Sequence, residues 1–213
     1  MEANIIYNID CLTGLRNLPD DSIDCCVTSP PYFNLRDYGV SGQIGLEDTP
    51  EQYIQKLVGV FHEVRRVLAP AGTLWVNIGD CYAGSGKGAA NYPDNAMKYK
   101  QGTNRGTVGR SAIVKKFDGY KSKDLIGIPW MLAFALRADG WFLRQDIIWA
   151  KPNPMPESMK DRCTKSHEYI FLLTKSPKYY FDCEAIHEKA VTSGTIPTNA
   201  PRYGGNKYTA TPE

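Results

Sequence analysis

Ser29-Pro30-Pro31-Tyr32 is the stretch whose residue types and order best equip this chain for chemistry. It follows the apolar run Ile23 to Val27 directly. Two prolines in that place build a rigid, extended turn with no backbone N–H at either position, so its carbonyls are available as acceptors. A planar exocyclic amino group offers two hydrogens. The Ser29 hydroxyl and the Pro30 carbonyl can accept both, draw the nitrogen towards tetrahedral geometry and free its lone pair for attack, with Tyr32 stacked on the attached ring. The plain structural alternative is a Pro-Pro turn whose tyrosine covers the edge of the core. A PPxY ligand is excluded because Phe33 stands where its tyrosine belongs.

Other candidate chemistries are weaker. Cys163/His167 and Cys183/His187 both have C-x3-H spacing, but His167 opens the apolar run EYIFLL, where strand packing explains it, and no metal is expected. Six cysteines without a CxxC pair are expected to be reduced and mostly buried. No Pro-Cys dipeptide is present, which removes the usual nucleophile of cytosine-C5 methylation. Ala83-Gly84-Ser85-Gly86-Lys87-Gly88 is not a P-loop, since Cys81 occupies the first glycine position and Gly88 follows the lysine.

The elements that must position these residues follow from periodicity. Ile5 to Ile9 and Ile23 to Val27 are expected strands, joined by a short helix through Leu12, Leu15 and Leu18. Thr49-Pro50 with Gln52 is a capping signature, and Tyr53, Leu57, Val60/Phe61, Val64 and Leu68 follow at helical spacing. Ala69-Pro70-Ala71-Gly72 should stop that helix before a strand over 73–78. Asp124 is expected to cap a helix through Arg137, followed by strands at Trp141 to Trp149, Tyr169 to Leu173 and Tyr179 to Phe181. Helices alternating with apolar strands predict a doubly wound α/β sheet, with Asp10, Ser29 and Asp80 on the rim at the carboxyl ends of its strands.

Charge is distributed unevenly. Between Gly84 and Lys123 nine basic residues face two acids, a net +7 that leaves −5 for the rest of the chain. Seven glycines in the same segment predict a mobile basic loop suited to a polyanion such as DNA, through Lys98, Lys100, Arg105, Arg110, Lys115 and Lys116. A solvated loop without a partner is the alternative. No apolar run approaches the roughly 18 residues of a membrane span, and the start MEANIIYNID is unlike a secretory signal, so a cytoplasmic protein is expected.

The runs DCLTGLRNLPDDSIDCCVTSPPY, FNLRDYG, GTLWVNIGD, IIWAKPNPMPES and HEYIFLLTKSPKYYFD closely resemble the N4-cytosine/N6-adenine DNA methyltransferases, specifically members whose catalytic motif precedes the cofactor glycine motif. The resemblance covers residues 5 to 187. It implies a Rossmann-like sheet in a catalytic domain over 1–191 and direct methyl transfer from S-adenosylmethionine to a base of DNA. It also implies catalytic roles for Ser29, Pro30, Pro31 and Tyr32, cofactor contacts at Asp10, Thr28 and Ser29, and a further DNA contact at Lys151. For Asp10 alone, helix capping before Leu12 is an equal alternative. The family's Phe-x-Gly-x-Gly cofactor loop has no counterpart in residues 192–213, a Thr-, Pro- and Gly-rich tail that could open a target-recognition region. The sheet is therefore expected to be incomplete on its C-terminal side, with a missing portion or companion chain as partner and homo-oligomerisation left open. A serine-type motif favours cytosine N4 over adenine N6. The rival of another class is a DNA-binding module without catalysis.

Overall fold

Thr49 opens the longest helix among the described residues. In the computed structural model, which describes residues 4–84, 117–154, 156–157 and 159–187, its hydroxyl accepts the amide N–H of Gln52 at 3.2 Å while the Gln52 side chain accepts the amide of Asp48 at 3.2 Å. Pro50 occupies the first turn, where a missing N–H costs nothing. Helix α2 (Pro50–Val67) then buries Tyr53, Ile54, Leu57, Phe61, Val64 and Val67, the stripe that its spacing predicts. Replacing Thr49 by alanine should cost about 1 kcal/mol of stability, read as a lower denaturant midpoint with an unchanged slope.

Among the described residues four strands form one mixed sheet: β1 (Ile23–Thr28), β2 (Leu68–Ile78), β3 (Phe142–Ala150) and β4 (His167–Thr174), in the order β1-β2-β4-β3. β1 and β2 are parallel, whereas β4 is antiparallel to both of its neighbours. The carboxyl ends of β1, β2 and β3 therefore meet the amino end of β4 on one rim. Helices α2 and α3 (Ile128–Ala138) share a core with Leu74, Val76, Ile78, Phe171 and Leu173, which alternate onto one face of the sheet. On the opposite face Val27 and Trp149 are exposed. Helix α1 (Cys11–Arg16) is docked through Arg66, whose guanidinium donates to the carbonyls of Leu15 and Leu18 and pairs with Asp20 and Glu63.

Several expectations change. Ile5 to Ile9 forms no strand among the described residues, and Ile6 is 99% exposed. β2 starts at Leu68 with no intervening turn, and an irregularity in its pairing with β1 absorbs Ala69 to Gly72. α3 starts at Ile128, so that Pro129 falls in the first turn. Its cap is not Asp124 but Asp80, whose carboxylate accepts the amides of Gly127 and Ile128 at 3.0 Å each from 47 and 48 residues away. Tyr179 to Phe181 is not a strand; the Tyr180 amide instead bonds the Ala71 carbonyl at 3.0 Å. Nor are the cysteines mostly buried: all six are free, and Cys11, Cys25, Cys163 and Cys183 are exposed.

A short stem closes the base of the basic segment. The amides of Ala83, Lys123 and Ile126 bond the carbonyls of Asp124, Ala83 and Cys81 at 2.8, 2.8 and 3.0 Å. Lys98, Lys100, Arg105, Arg110, Lys115 and Lys116 lie outside the described residues. The chain divides into two units at Tyr180/Phe181. In the second, a single 3-10 turn at Glu184–Ile186 is described, with Cys183, Glu184 and His187 exposed and their ligand atoms within 4.8 Å of one another. Glu184 already engages His187 at 3.2 Å. Among the described residues no helix is long and apolar enough to cross a membrane.

Candidate active site

The Ser29–Tyr32 loop leaves the carboxyl end of β1 on the rim where β2 and β3 also end and β4 begins. Ser29 and Pro31 are exposed, Pro30 is buried and Tyr32 is half-buried. Two tyrosine contacts grip the loop from opposite faces of the sheet. From α2, the hydroxyl of the fully buried Tyr53 donates to the Pro31 carbonyl at 2.8 Å. Of the two proline carbonyls, that of Pro31 is therefore already engaged. On the other face the Tyr32 hydroxyl lies 2.9 Å from Asn77 Oδ1 and 3.0 Å from Glu168 Oε2. Ser29 Oγ approaches the same phenol oxygen at 3.5 Å.

The Tyr32 ring fills the space that a side chain at position 79 would need. A Cβ built on Gly79 would stand 2.6 Å from Tyr32 Cε2, and Gly79 has no positive φ, so it is required here for room alone. Phe33, 2% exposed, anchors the chain beyond the loop with its ring 5.3 Å from both Tyr53 and Phe117. The following turn is stitched by Gln43, which donates to the Arg36 carbonyl at 2.9 Å and accepts the Tyr38 amide at 2.7 Å. Leu35, Arg36 and Tyr38 thereby complete, with the Ser29–Tyr32 loop, an open groove of about 370 Å³, a size within the range of small-molecule sites.

Electrostatics follow from burial and pairing. Burial pushes the Tyr32 phenol up to about 12, and the charge and hydrogen bond of Glu168 add to this against the opposing effect of Ser29. Glu168 is raised by burial, but hydrogen bonds from Lys151 and Tyr32 and the lysine's charge outweigh that and hold it below its ordinary value. Burial lowers Lys165, an effect partly offset by Asp80 and other nearby anions. Burial also raises the Cys26 thiol to about 11, which leaves it an unreactive neutral thiol at neutral pH.

Of the residues singled out from sequence, Ser29, Pro30, Pro31 and Tyr32 stand together, and Thr28 closes β1 beside them. Lys151 reaches the same cluster as the ion-pair partner of Glu168, held by its amide on the Ser166 carbonyl at 2.7 Å. Asp10 caps α1: its Oδ1 accepts both the amide and the hydroxyl of Thr13, at 3.0 and 3.1 Å, and these bonds lower its carboxyl further below the ordinary range. His167 packs edge-on against Tyr169 with centroids 5.2 Å apart. Sequence reasoning missed Asn77, Gly79 and Glu168. Only the polar residues within the apolar runs TLWVNI and HEYIFLL hinted at Asn77 and Glu168.

A family model described as DNA methylase (N6_N4_Mtase) matches residues 23–200. The type II methyltransferase M.Cfr9I of Citrobacter freundii is 52% identical over 189 residues, which are 89% of this chain and 60% of that protein. M.SmaI of Serratia marcescens is 51% identical, over 85% of this chain and 59% of that protein. The chain thus spans about three fifths of the length of these curated relatives. Among solved structures, the PvuII DNA methyltransferase (cytosine-N4-specific) superposes with a TM-score of 0.54 at 17% identity, covering 83% of this chain and 50% of that one. The putative DNA modification methylase TTHA0409 of Thermus thermophilus, complexed with S-adenosyl-L-methionine, does so at 0.50 and 22%, covering 83% of this chain and 55% of that one. These two likenesses bear on the fold, an α/β sheet of the Rossmann-like methyltransferase kind, present here in part.

Proposed function

The chain belongs to the N6/N4 DNA methylase family, and from that premise we propose that it carries the amine site of an enzyme that methylates the exocyclic N4 of cytosine in DNA. The observation that carries this reading is the loop itself: an exposed serine and a rigid proline pair at the end of β1, beside a tyrosine anchored at its hydroxyl. In this role Ser29 Oγ and the Pro30 carbonyl accept the two amino hydrogens, and Tyr32 bounds the groove that receives a base turned out of its stack. The serine at the head of the motif supports cytosine over adenine.

S-adenosylmethionine supplies the methyl group when bound. The residues proposed to meet it are Asp10, whose exposed carboxylate is ionised at neutral pH, and Thr28 and Ser29 at the end of β1. β1 pairs on one side only among the described residues. That free edge is where we place a strand carrying the cofactor glycine motif, from a further portion of the protein or a companion chain.

DNA exposed to the full-length native protein and S-adenosylmethionine, digested to nucleosides and analysed by mass spectrometry, tests the proposal. N4-methylcytosine is expected. N6-methyladenine would move the assignment to the other base, and unmodified DNA that is nonetheless bound would favour a binding module.

The basic segment is proposed to hold the DNA backbone. Replacing Lys98, Lys100, Lys115 and Lys116 together with glutamine should make the dependence of log affinity on log salt shallower by roughly 3 to 4, if each contacts one phosphate. An unchanged slope in a salt titration would assign those charges to solvent.

A further inference from the structure

The polar cluster beneath Ser29 has a direction. Glu168, ionised through its pairing with Lys151, can only accept hydrogen bonds. Asn77 presents its oxygen to Tyr32, because its own amide nitrogen donates to the Tyr169 carbonyl at 3.2 Å. Tyr32 therefore faces two acceptors with a single hydroxyl proton, which is committed to that side. Towards Tyr32, Ser29 is left only the donor role, at the long separation of 3.5 Å. Hydroxyl contacts of this length commonly tighten when a substrate binds.

We infer that Lys151 and Glu168 are positioning residues that polarise this chain of hydroxyls, so that Ser29 turns its lone pairs outward and the site accepts exocyclic amines while rejecting ring carbonyl oxygens. A carbonyl offers no hydrogen to a serine whose own proton is already engaged, and leaves the Pro30 carbonyl facing another acceptor. No proton moves in this arrangement; it sets orientation only. The inference rests on the methyl-transfer reading for its substrate but not for its hydrogen bonding, and the two are tested separately.

The first measurement needs neither DNA nor cofactor. With 3-fluorotyrosine incorporated, the Tyr32 resonance is assigned by its loss in Tyr32→Phe and titrated by fluorine NMR. Glu168→Gln removes the anion that opposes the phenolate, so Tyr32 should ionise at lower pH. The second measurement is turnover of the full-length native protein. Glu168→Gln should lower kcat about tenfold, with KM for DNA and for S-adenosylmethionine nearly unchanged, as expected for one lost charge-assisted hydrogen bond.

Lys151→Met leaves the carboxylate without its partner and raises its pKa, with Tyr32 and Lys165 the other titratable groups nearby. Activity that depends on ionised Glu168 should then fall away at higher pH on the acid side. Glu168→Gln should lose that limb, and Glu168→Asp should recover part of kcat. A thermal melt establishes that each variant is folded, and a collapsed Glu168→Gln leaves Lys151→Met to decide. Wild-type kcat, acid limb and Tyr32 titration in these variants would overturn the inference. A shifted Tyr32 titration in a native protein that methylates no DNA would support the hydroxyl orientation and count against methyl transfer instead.

Discussion

Replacing Gly79 by alanine in the full-length native protein is expected to lower the proposed methyl transfer about 100-fold, the scale on which catalysis responds to a group displaced by about 1 Å, while the protein stays folded. The added Cβ would stand 2.6 Å from Tyr32 Cε2 and 3.0 Å from Cδ2, distances that force one of the two to move. The backbone at position 79 is not in the left-handed region, so alanine meets no conformational penalty of its own. The ring is the part that yields, and its hydroxyl must then leave Asn77 and Glu168. Steady-state kinetics with circular dichroism check the prediction. Unchanged kcat would mean that Tyr32 does not need its observed position, and a lost fold would mean that its anchoring is a stability device.

Tyr53 separates the packing contribution of one side chain from its hold on the site. It is fully buried against Phe33 and its hydroxyl holds the Pro31 carbonyl. Tyr53→Ala should cost about 3–5 kcal/mol through the cavity it leaves, a large share of the roughly 5–15 kcal/mol that stabilises a domain. Tyr53→Phe keeps the ring and strands only the carbonyl, for about 1–3 kcal/mol. Its larger effect should be on turnover, because the proline turn loses its tie to α2. Denaturant melts and kinetics on the same two variants check both. Equal stability losses would show that the hydrogen bond, and not the ring, carries the contribution of Tyr53.

What the chain's sequence determined was local and periodic. The stripe from Tyr53 to Val64, the Thr49–Gln52 cap and the strand leading into Ser29-Pro30-Pro31-Tyr32 were legible because 3.6-residue periodicity, capping and apolar runs act over a few residues. The family was legible because its motif is contiguous.

The surroundings of that motif were decided by tertiary structure. Glu168 reaches Tyr32 across 136 residues and Asn77 across 45, and Lys151 pairs with Glu168 beside the Ser29–Tyr32 loop. These meetings follow from the order β1-β2-β4-β3, which sets the amino end of β4 beside the carboxyl ends of β2 and β3. Likewise Asp80, and not the nearer Asp124, caps α3, and Ile5 to Ile9 forms no strand among the described residues despite its apolar composition. A strand or a cap exists only where another segment supplies its hydrogen-bond partner. Which segment does so depends on sheet order and register, set by packing of the whole chain, and no window of neighbouring residues contains that information.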